Sequence, residues 1–359
     1  MTVRCSGMES RNENALSTGD ISVDAFLTEL MSIDSTSKYE GALTDELVKY
    51  FQSTGWYVHE QALTSDPRRR NLLVTRIPFK APGPVYLMNT HLDTVPPFIA
   101  PQNDGTVVKG RGAGDAKGQL AAMIFAAQRI AKESPEKSQK LGLLLVVGEE
   151  VDHVGMIKAN DLALEPDYLV VGEPTELKFA RLQKGAFKVI LKARGKAAHS
   201  GYPHLGESAI NKLLDVLQDI RTYPWPNSER LGETTVNIGM ISGGQALNAL
   251  AASATASLFF RVTTSTADVY ERLKEIVADR TEIDLSKISE PPLDIESCVV
   301  PFNTDLPYFV GANKLKGAYL FGGGNMENAH SEREFIPIDE LKKTVDTHVE
   351  LFNRIMNQK

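Results

Sequence analysis

Four short runs constrain this chain's fold more than any other feature: NLLVTRI at 71–77, VYLMNTH at 85–91, LGLLLVVG at 141–148 and DYLVVG at 167–172. Each is apolar almost throughout and bounded by turn residues, the pattern of a strand buried on both faces. Between the second and third lies KGQLAAMIFAAQRIAK at 117–132, rich in strong helix formers and free of proline. Strand, helix and strand in alternation predict an α/β fold, with a mixed, mostly parallel sheet between helices. Ahead of them, Phe26, Leu27, Leu30 and Met31 repeat at helical spacing, as do Leu43, Leu47, Val48 and Phe51 before Gly55, so two amphipathic helices open the domain.

The pattern changes near residue 183. In QKGAFKVILKARG, Phe187, Val189, Leu191 and Ala193 alternate with Lys188, Lys192 and Arg194, with only Ile190 interrupting the polar face. That is a half-exposed antiparallel strand, and its lysines read as protection of a sheet edge. A helix follows from Ser208, with Ile210, Leu213, Leu214, Leu217 and Ile220 on one face. Strand candidates TTVNIGMI (234–241) and ATASLFFRVTT (254–264) precede a helix near 266–279, and proline-rich SEPPLD (289–294) reads as a return linker. The expected organisation is a catalytic domain of residues 1–182 and 291–359, closed by one terminal helix, with residues 183–290 as an inserted α+β unit. A chain of 359 residues exceeds what one core sustains, which agrees with two domains.

A formal charge of −7 argues against a nucleic-acid partner, whose binders carry a concentrated positive face. No stretch approaches the ~20 apolar residues of a spanning helix, and the first twenty residues lack the apolar centre of a secretory signal. The expectation is a cytoplasmic protein with no membrane partner. Cys5 and Cys298, the two cysteines, are too few for a disulfide framework.

The polar residues that end the apolar runs carry the chemistry. His91 and Asp93 close the second run, two apart and therefore on one face. GRGAGDAKG at 110–118 surrounds Asp115 with glycines at a helix start, and Lys117 stands where a dinucleotide fingerprint needs its third glycine. Glu149 and Glu150 end the third run, so that one carboxylate is free to ligate a metal while the other takes a proton from the attacking water. GEPT (172–175) puts Glu173 at the end of the fourth run, and NAHSE puts His330 in a late loop after the glycines 322–324. An α/β sheet gathers such strand ends into one crevice.

The ordered set THLDTVP, GRGAGDAKG, GEE, GEPT, AHSGYP and AHSE resembles the M20 family of metallopeptidases and amidohydrolases. The likeness is nearest to its acetylornithine deacetylase, succinyl-diaminopimelate desuccinylase and glutamate carboxypeptidase branch. The resemblance implies two zinc ions, or cobalt, bridged by Asp115, with His91 and Glu173 completing one site and Glu150 and His330 the other. It implies Glu149 as general base, Asp93 orienting His91, and a cis peptide between Asp115 and Ala116. It further implies a homodimer formed through the inserted domain, which acts as a lid, and His199 of AHSGYP as an oxyanion donor from the partner subunit. Asn248 and Arg261 would grip the substrate's carboxylate. The loop FGGGN has Gly323 where relatives commonly carry proline, which removes a φ restraint beside the substrate. The implied substrate is an N-acyl amino acid or short peptide with a free carboxylate, with deacylation, as of acetylornithine, preferred over carboxypeptidase or dipeptidase action. His59, His153, His204 and His348 fall outside this set, His153 being assigned a surface or capping role.

Overall fold

The computed structural model describes residues 15–63, 66–229, 231–264, 266–277 and 297–357. The expected linker at 289–294, its boundary at 290 and 291, and residues 1–14 of the polar leader lie outside the described residues. The chain forms two compact units, one from the residues up to Arg181 and again from Thr304, the other from Leu182 onward together with Val299–Asn303. Those last five residues were expected in the first domain. They pack with the inserted unit because the Lys184 amide donates to the Val300 carbonyl at 3.2 Å, drawing the returning chain onto it.

The first unit is built on six strands, β1 (Tyr57–Ala62), β2 (Arg70–Thr75), β3 (Tyr86–His91), β4 (Leu141–Val146), β5 (Tyr168–Val171) and β6 (Gly317–Leu320), in the order β1-β2-β4-β3-β5-β6. Pairings β1/β2 and β2/β4 are antiparallel, and β4/β3, β3/β5 and β5/β6 are parallel. The sheet is therefore mixed and mostly parallel. Its central strands are covered on both faces: Tyr86, Met88, Leu143 and Leu145 join the main core, while Leu87 and Leu144, which point the other way, are equally inaccessible. β1 and β6 were not anticipated. YVHEQA exposes most of its residues at a sheet edge, and GAYL is only four residues long, so neither shows strand periodicity.

Helices Val23–Ser32, Lys117–Glu133 and Ile338–Asn357 pack together against this core. Helix Lys117–Glu133 is buried along nearly its whole length. At its start Lys117 donates to the carbonyls of Leu30 and Ile33 at the end of helix Val23–Ser32, the former also accepting from the Ile33 amide at 3.4 Å, and burial pushes the Lys117 ammonium down to about 7. A small antiparallel sheet pairs Phe335–Pro337 with Val107–Lys109 and the latter with Gln102–Asn103.

In the second unit Ser253–Val262 runs between Thr235–Gly243 and the edge strand Gly185–Arg194, all antiparallel. Phe187, Val189 and Leu191 pack under helix Ala209–Thr222 through Leu213, Leu217 and Ile220, and Ser208 caps that helix by accepting from the Asn211 amide at 3.3 Å. Ile190 stays on the exposed face, as the alternation requires. Among the described residues no helix is long and apolar enough to cross a membrane.

The terminal helix closes the core through Phe352, which is inaccessible and meets Tyr86 edge-on with ring centroids 5.2 Å apart. Phe352→Ala should cost about 3–5 kcal/mol. Urea unfolding checks this, and a loss below about 1 kcal/mol would show that the helix does not close the core.

Candidate metal centre

β3, β4, β5 and β6 run parallel, so their carboxyl ends open on one edge of the sheet, where α/β folds place ligands. His91 ends β3, Glu149 and Glu150 follow β4, Glu173 follows β5, and the loop carrying His330 follows β6. Asp115 reaches the same place from the turn before helix Lys117–Glu133. His91 Nε2 lies 3.0 Å from Asp115 Oδ1 and 3.8 Å from Glu173 Oε1. His330 Nε2 lies 3.2 Å from Asp115 Oδ2 and 3.0 Å from Glu150 Oε2. The two oxygens of Asp115 thus face different imidazoles and divide the cluster into two triads, His91 with Asp115 and Glu173, and Asp115 with Glu150 and His330. In each triad the candidate ligand atoms fall within 4.8 Å of one another. The peptide from Asp115 to Ala116 is cis.

Burial makes this cluster electrostatically expensive. Removal from water pushes the Glu150 carboxyl up to about 7 and holds Glu149 and Glu173 well above the usual carboxylate range, with Asp115 adding to each shift. For His330 burial alone would favour the neutral ring, but hydrogen bonds to Asp115 and Glu150 outweigh it and raise the pKa to about 11. His91 is raised in the same way by Asp115 and Asp93 against its own burial. Four desolvated carboxylates gathered round two imidazoles, His91 buried and His330 exposed, suit a site for divalent cations, since buried charges of one sign persist only when neutralised.

Asp93 meets the other ring nitrogen of His91 more closely through its backbone carbonyl than through its carboxylate. His91 Nδ1 donates to the Asp93 backbone carbonyl at 2.9 Å, which fixes Nε2 as the free ligand atom, while the carboxylate lies 3.5 Å away. That carboxylate instead accepts from the amides of Gly148 (2.9 Å), Glu149 (3.1 Å) and Glu150 (3.3 Å) and from Ser37 Oγ (2.8 Å). It holds the turn on which both glutamates stand, and only an inaccessible anion among converging amides explains why an acid is needed there.

Glu149 belongs to neither triad. Its Oε1 lies 3.5 Å from His153 Nδ1, which is 3.0 Å from Asp305 Oδ1, and the His153 ring stacks on Tyr308 at 3.9 Å. His153 is therefore not the surface residue expected; it stands at the N-cap of helix Val154–Ala159, but its side chain makes no capping bond. The amides of Val151, Asp152 and His153 all turn in to the Gly148 carbonyl, and this tight turn folds the imidazole back under Glu149. Asp305, 152 positions away, left no local signal. His348 is a core residue, its pKa pushed down to about 4 by burial, and its ring stands edge-on to Phe321.

Gly323 does not loosen its loop. Its carbonyl accepts from Gln119 Nε2 at 2.7 Å, Gly322 and Gly324 bond to Thr175, Leu177, Glu176 and Glu340, and a β-carbon on Gly323 would lie 2.5 Å from Thr344 Oγ1. Close packing, not φ, selects glycine there, and its carbonyl is engaged within the protein.

The remaining candidates belong to the second unit. His199 is exposed, and its Nδ1 accepts from the Gly201 amide at 3.1 Å, which leaves the proton on Nε2. The Ser200 amide donates to the Asn248 carbonyl at 2.9 Å, so His199 and Asn248 share one end of the unit. Arg261 does not join them. It lies on the central strand, its guanidinium 4.4 Å over Phe259, eight residues along from Ser253. At the usual strand rise that is about 26 Å from the His199 end.

Residues 181–285 match the peptidase dimerisation domain. The chain is 37% identical over 324 residues to a peptidase M20 domain-containing protein of Schizosaccharomyces pombe, covering 87% of this chain and 79% of that protein. It is 34% identical over 369 residues to a probable carboxypeptidase of Ajellomyces capsulatus, covering 90% and 84%. The crystal structure of a tripeptidase from Staphylococcus aureus superposes with a TM-score of 0.74 at 20% identity, covering 94% of this chain and 98% of that one.

The neighbouring carboxylates favour the charged form of both imidazoles, and burial favours the protonated form of Glu150 and Glu173. Ligation needs neutral imidazole and ionised carboxylate, so cation binding must expel protons and strengthen as pH rises. Calorimetric titration of zinc at pH 7 in buffers of different ionisation enthalpy should report a net release of protons on binding. Heats independent of buffer would contradict this charge state.

Proposed function

The chain belongs to the M20 peptidase family, and from that premise we propose that it hydrolyses the amide bond preceding a free carboxylate in short peptides, as a metallo-carboxypeptidase with a dinuclear centre. One observation carries the reading: two ligand triads share Asp115, while Glu149 stands beside them and in neither. His91, Asp115 and Glu173 would hold one divalent cation and Asp115, Glu150 and His330 the other, with zinc or cobalt suited to the mixed nitrogen and oxygen donors. When bound, such a pair supplies polarisation of the scissile carbonyl and acidification of water.

The protein's own groups then divide the work. Glu149 takes the proton of the attacking water on its carboxylate and returns it to the leaving amine, a task suited to a carboxyl whose pKa burial has raised well above the usual carboxylate range. His153 and Asp305 fix where that carboxylate points. His199 has its proton on Nε2, the form needed to donate to an oxyanion. Asn248 and Arg261 bind the substrate's carboxylate, Arg261 through its two-pronged guanidinium. His199 and Asn248 lie at one end of the inserted unit and Arg261 far along it, so a single copy cannot bring all three to one substrate. A homodimer, in which the partner lends His199 and Asn248, can.

Acetylornithine-like deacylation would use the same machinery, since an N-acyl amino acid presents the same amide and carboxylate as a C-terminal residue. The relatives named probable carboxypeptidases support peptides as the first choice. With a panel of N-blocked dipeptides, their C-terminal amides and N-acetyl amino acids, the free-acid dipeptides should lead, and amidation should lower kcat/KM about 100-fold through loss of a charge-assisted pair. Preference for N-acetyl amino acids would favour the deacylase reading, and indifference to amidation would remove the carboxylate requirement.

Glu149→Gln should retain its metal and lose about 10²–10⁴ in kcat. Mixed with His199→Ala, which should also keep metal, it should recover part of the activity, because in such a dimer one centre has an intact base and an intact donor. Full turnover by the metal-loaded Gln variant would sink the role of Glu149; verified mixed dimers without recovery would place the histidine's action within one chain.

A further inference from the structure

A glycine-rich turn ahead of a helix, with its amides converging, is the hollow in which other folds hold a phosphate. In residues 110–118 the protein fills that hollow with its own carboxylate. Glu334 is 2% exposed; its Oε1 accepts from the amides of Gly112 (3.0 Å), Gly114 (3.2 Å) and Asp115 (3.2 Å), and its Oε2 from Arg111 Nη1 (2.7 Å). The same Arg111 nitrogen donates to the Ser331 carbonyl at 3.1 Å, and Arg111 is itself 3% exposed. Gly112 takes φ +88, which turns its amide inward and which a side chain would oppose.

Connectivity gives this contact its consequence. Phe335–Pro337 pairs with Val107–Lys109, and the Gly110 amide donates to the Glu334 carbonyl at 3.0 Å, so the loops bearing His330 and Asp115 leave the same end of one ribbon. Glu334 ties its own end of the ribbon to the Asp115 turn, and Arg111 ties that turn back to the residue after His330. His330 needs such support: its backbone has φ 62, in the left-handed region, and its side chain is 46% exposed, whereas His91, Asp115 and Glu173 are buried.

We propose that Glu334, acting with Arg111, is a positioning residue that sets the spacing of Asp115 and His330 and thereby the occupancy of one cation position, the one formed with Glu150. The inference rests on the dinuclear reading given above. Glu334→Gln keeps the volume but turns an N–H₂ toward groups that are all donors.

The experiment is metal analysis of the full-length protein after dialysis against a mild chelator, followed by zinc titration and steady-state kinetics. Wild-type protein should retain two equivalents of zinc and the Gln variant about one, with zinc affinity at the second position lowered on the order of 10–100-fold. Excess zinc should restore the variant's kcat while KM stays unchanged. A cooperatively folded Glu334→Gln protein that holds both equivalents at wild-type affinity overturns the proposal, as does parallel loss of both, the mark of a general defect. Should that variant fail to fold, Arg111→Lys decides: it should weaken the same single position, and unchanged affinity there overturns the proposal. One equivalent or none in the wild type would instead bring down the dinuclear reading, a result separate from any behaviour of the variants.

Discussion

Mutual repulsion among buried carboxylates is the constraint on which the first unit depends. Asp115, Glu149, Glu150 and Glu173 converge at a sheet edge from which water is largely excluded, with His91 and His330 among them. In a low dielectric such a cluster lowers its energy by taking up protons or cations. The protein does not relieve the strain by letting the loops spread. The amides of Asp115, Glu149 and Glu150 are each bonded to a buried carboxylate from another loop, so relief is left to cations. Asp115 makes the two positions interdependent, because each of its oxygens is matched to a different imidazole.

The holding bonds share one device. Asp93 collects the amides of Gly148, Glu149 and Glu150, and Gln119 joins the carbonyls of Gly114 and Gly323. In each case a buried side chain crosses between loops that leave different strands and fixes backbone, not ligand atoms. Such bonds are strong because the groups have no water to turn to. They are also local in effect, so neighbouring ligands can be fixed independently of one another. A parallel sheet supplies the coarse convergence, and these crossings set the final ångström.

How much of this the sequence disclosed follows from how local each signal is. β2 to β5 were legible because strands buried on both faces have no polar positions, and the inserted unit because its edge strand alternates cleanly at Phe187, Val189 and Leu191. β1 was not, since HEQ at an exposed edge has no period. Of the candidate ligands, His91, Glu150 and Glu173 were legible only as polar residues ending apolar runs, Asp115 as the acid of a glycine turn and His330 as a loop histidine, and the motif resemblance joined them into a set. What escaped was every side chain acting over long separations: Asp305 on His153, Glu334 on Asp115, and Gln119 on Gly323. The backbone route by which Asp93 meets His91 escaped for a related reason. Two-residue spacing brings a carboxylate near His91, but does not reveal that the Asp93 carbonyl is nearer, or that three amides wait on the other side.

The two units differ in what burial does to their functional groups, and that difference bears on how the chemistry is divided. In the first, nearly every polar group of the centre is inaccessible and its state is set by neighbours fixed in the fold. In the second, His199 and Asn248 are exposed on a loop pair braced by two backbone bonds, Ser200 to Asn248 and Leu250 to Ala198. Exposed groups keep their hydration until a substrate displaces it, so in the proposed reaction they would contribute to binding and to transition-state charge only when it is in place. A centre of fixed, desolvated ligands with recognition groups left in water separates cation affinity from substrate affinity. Substitutions in the loop pair can then alter which amide is cut while leaving the cation triads as they are.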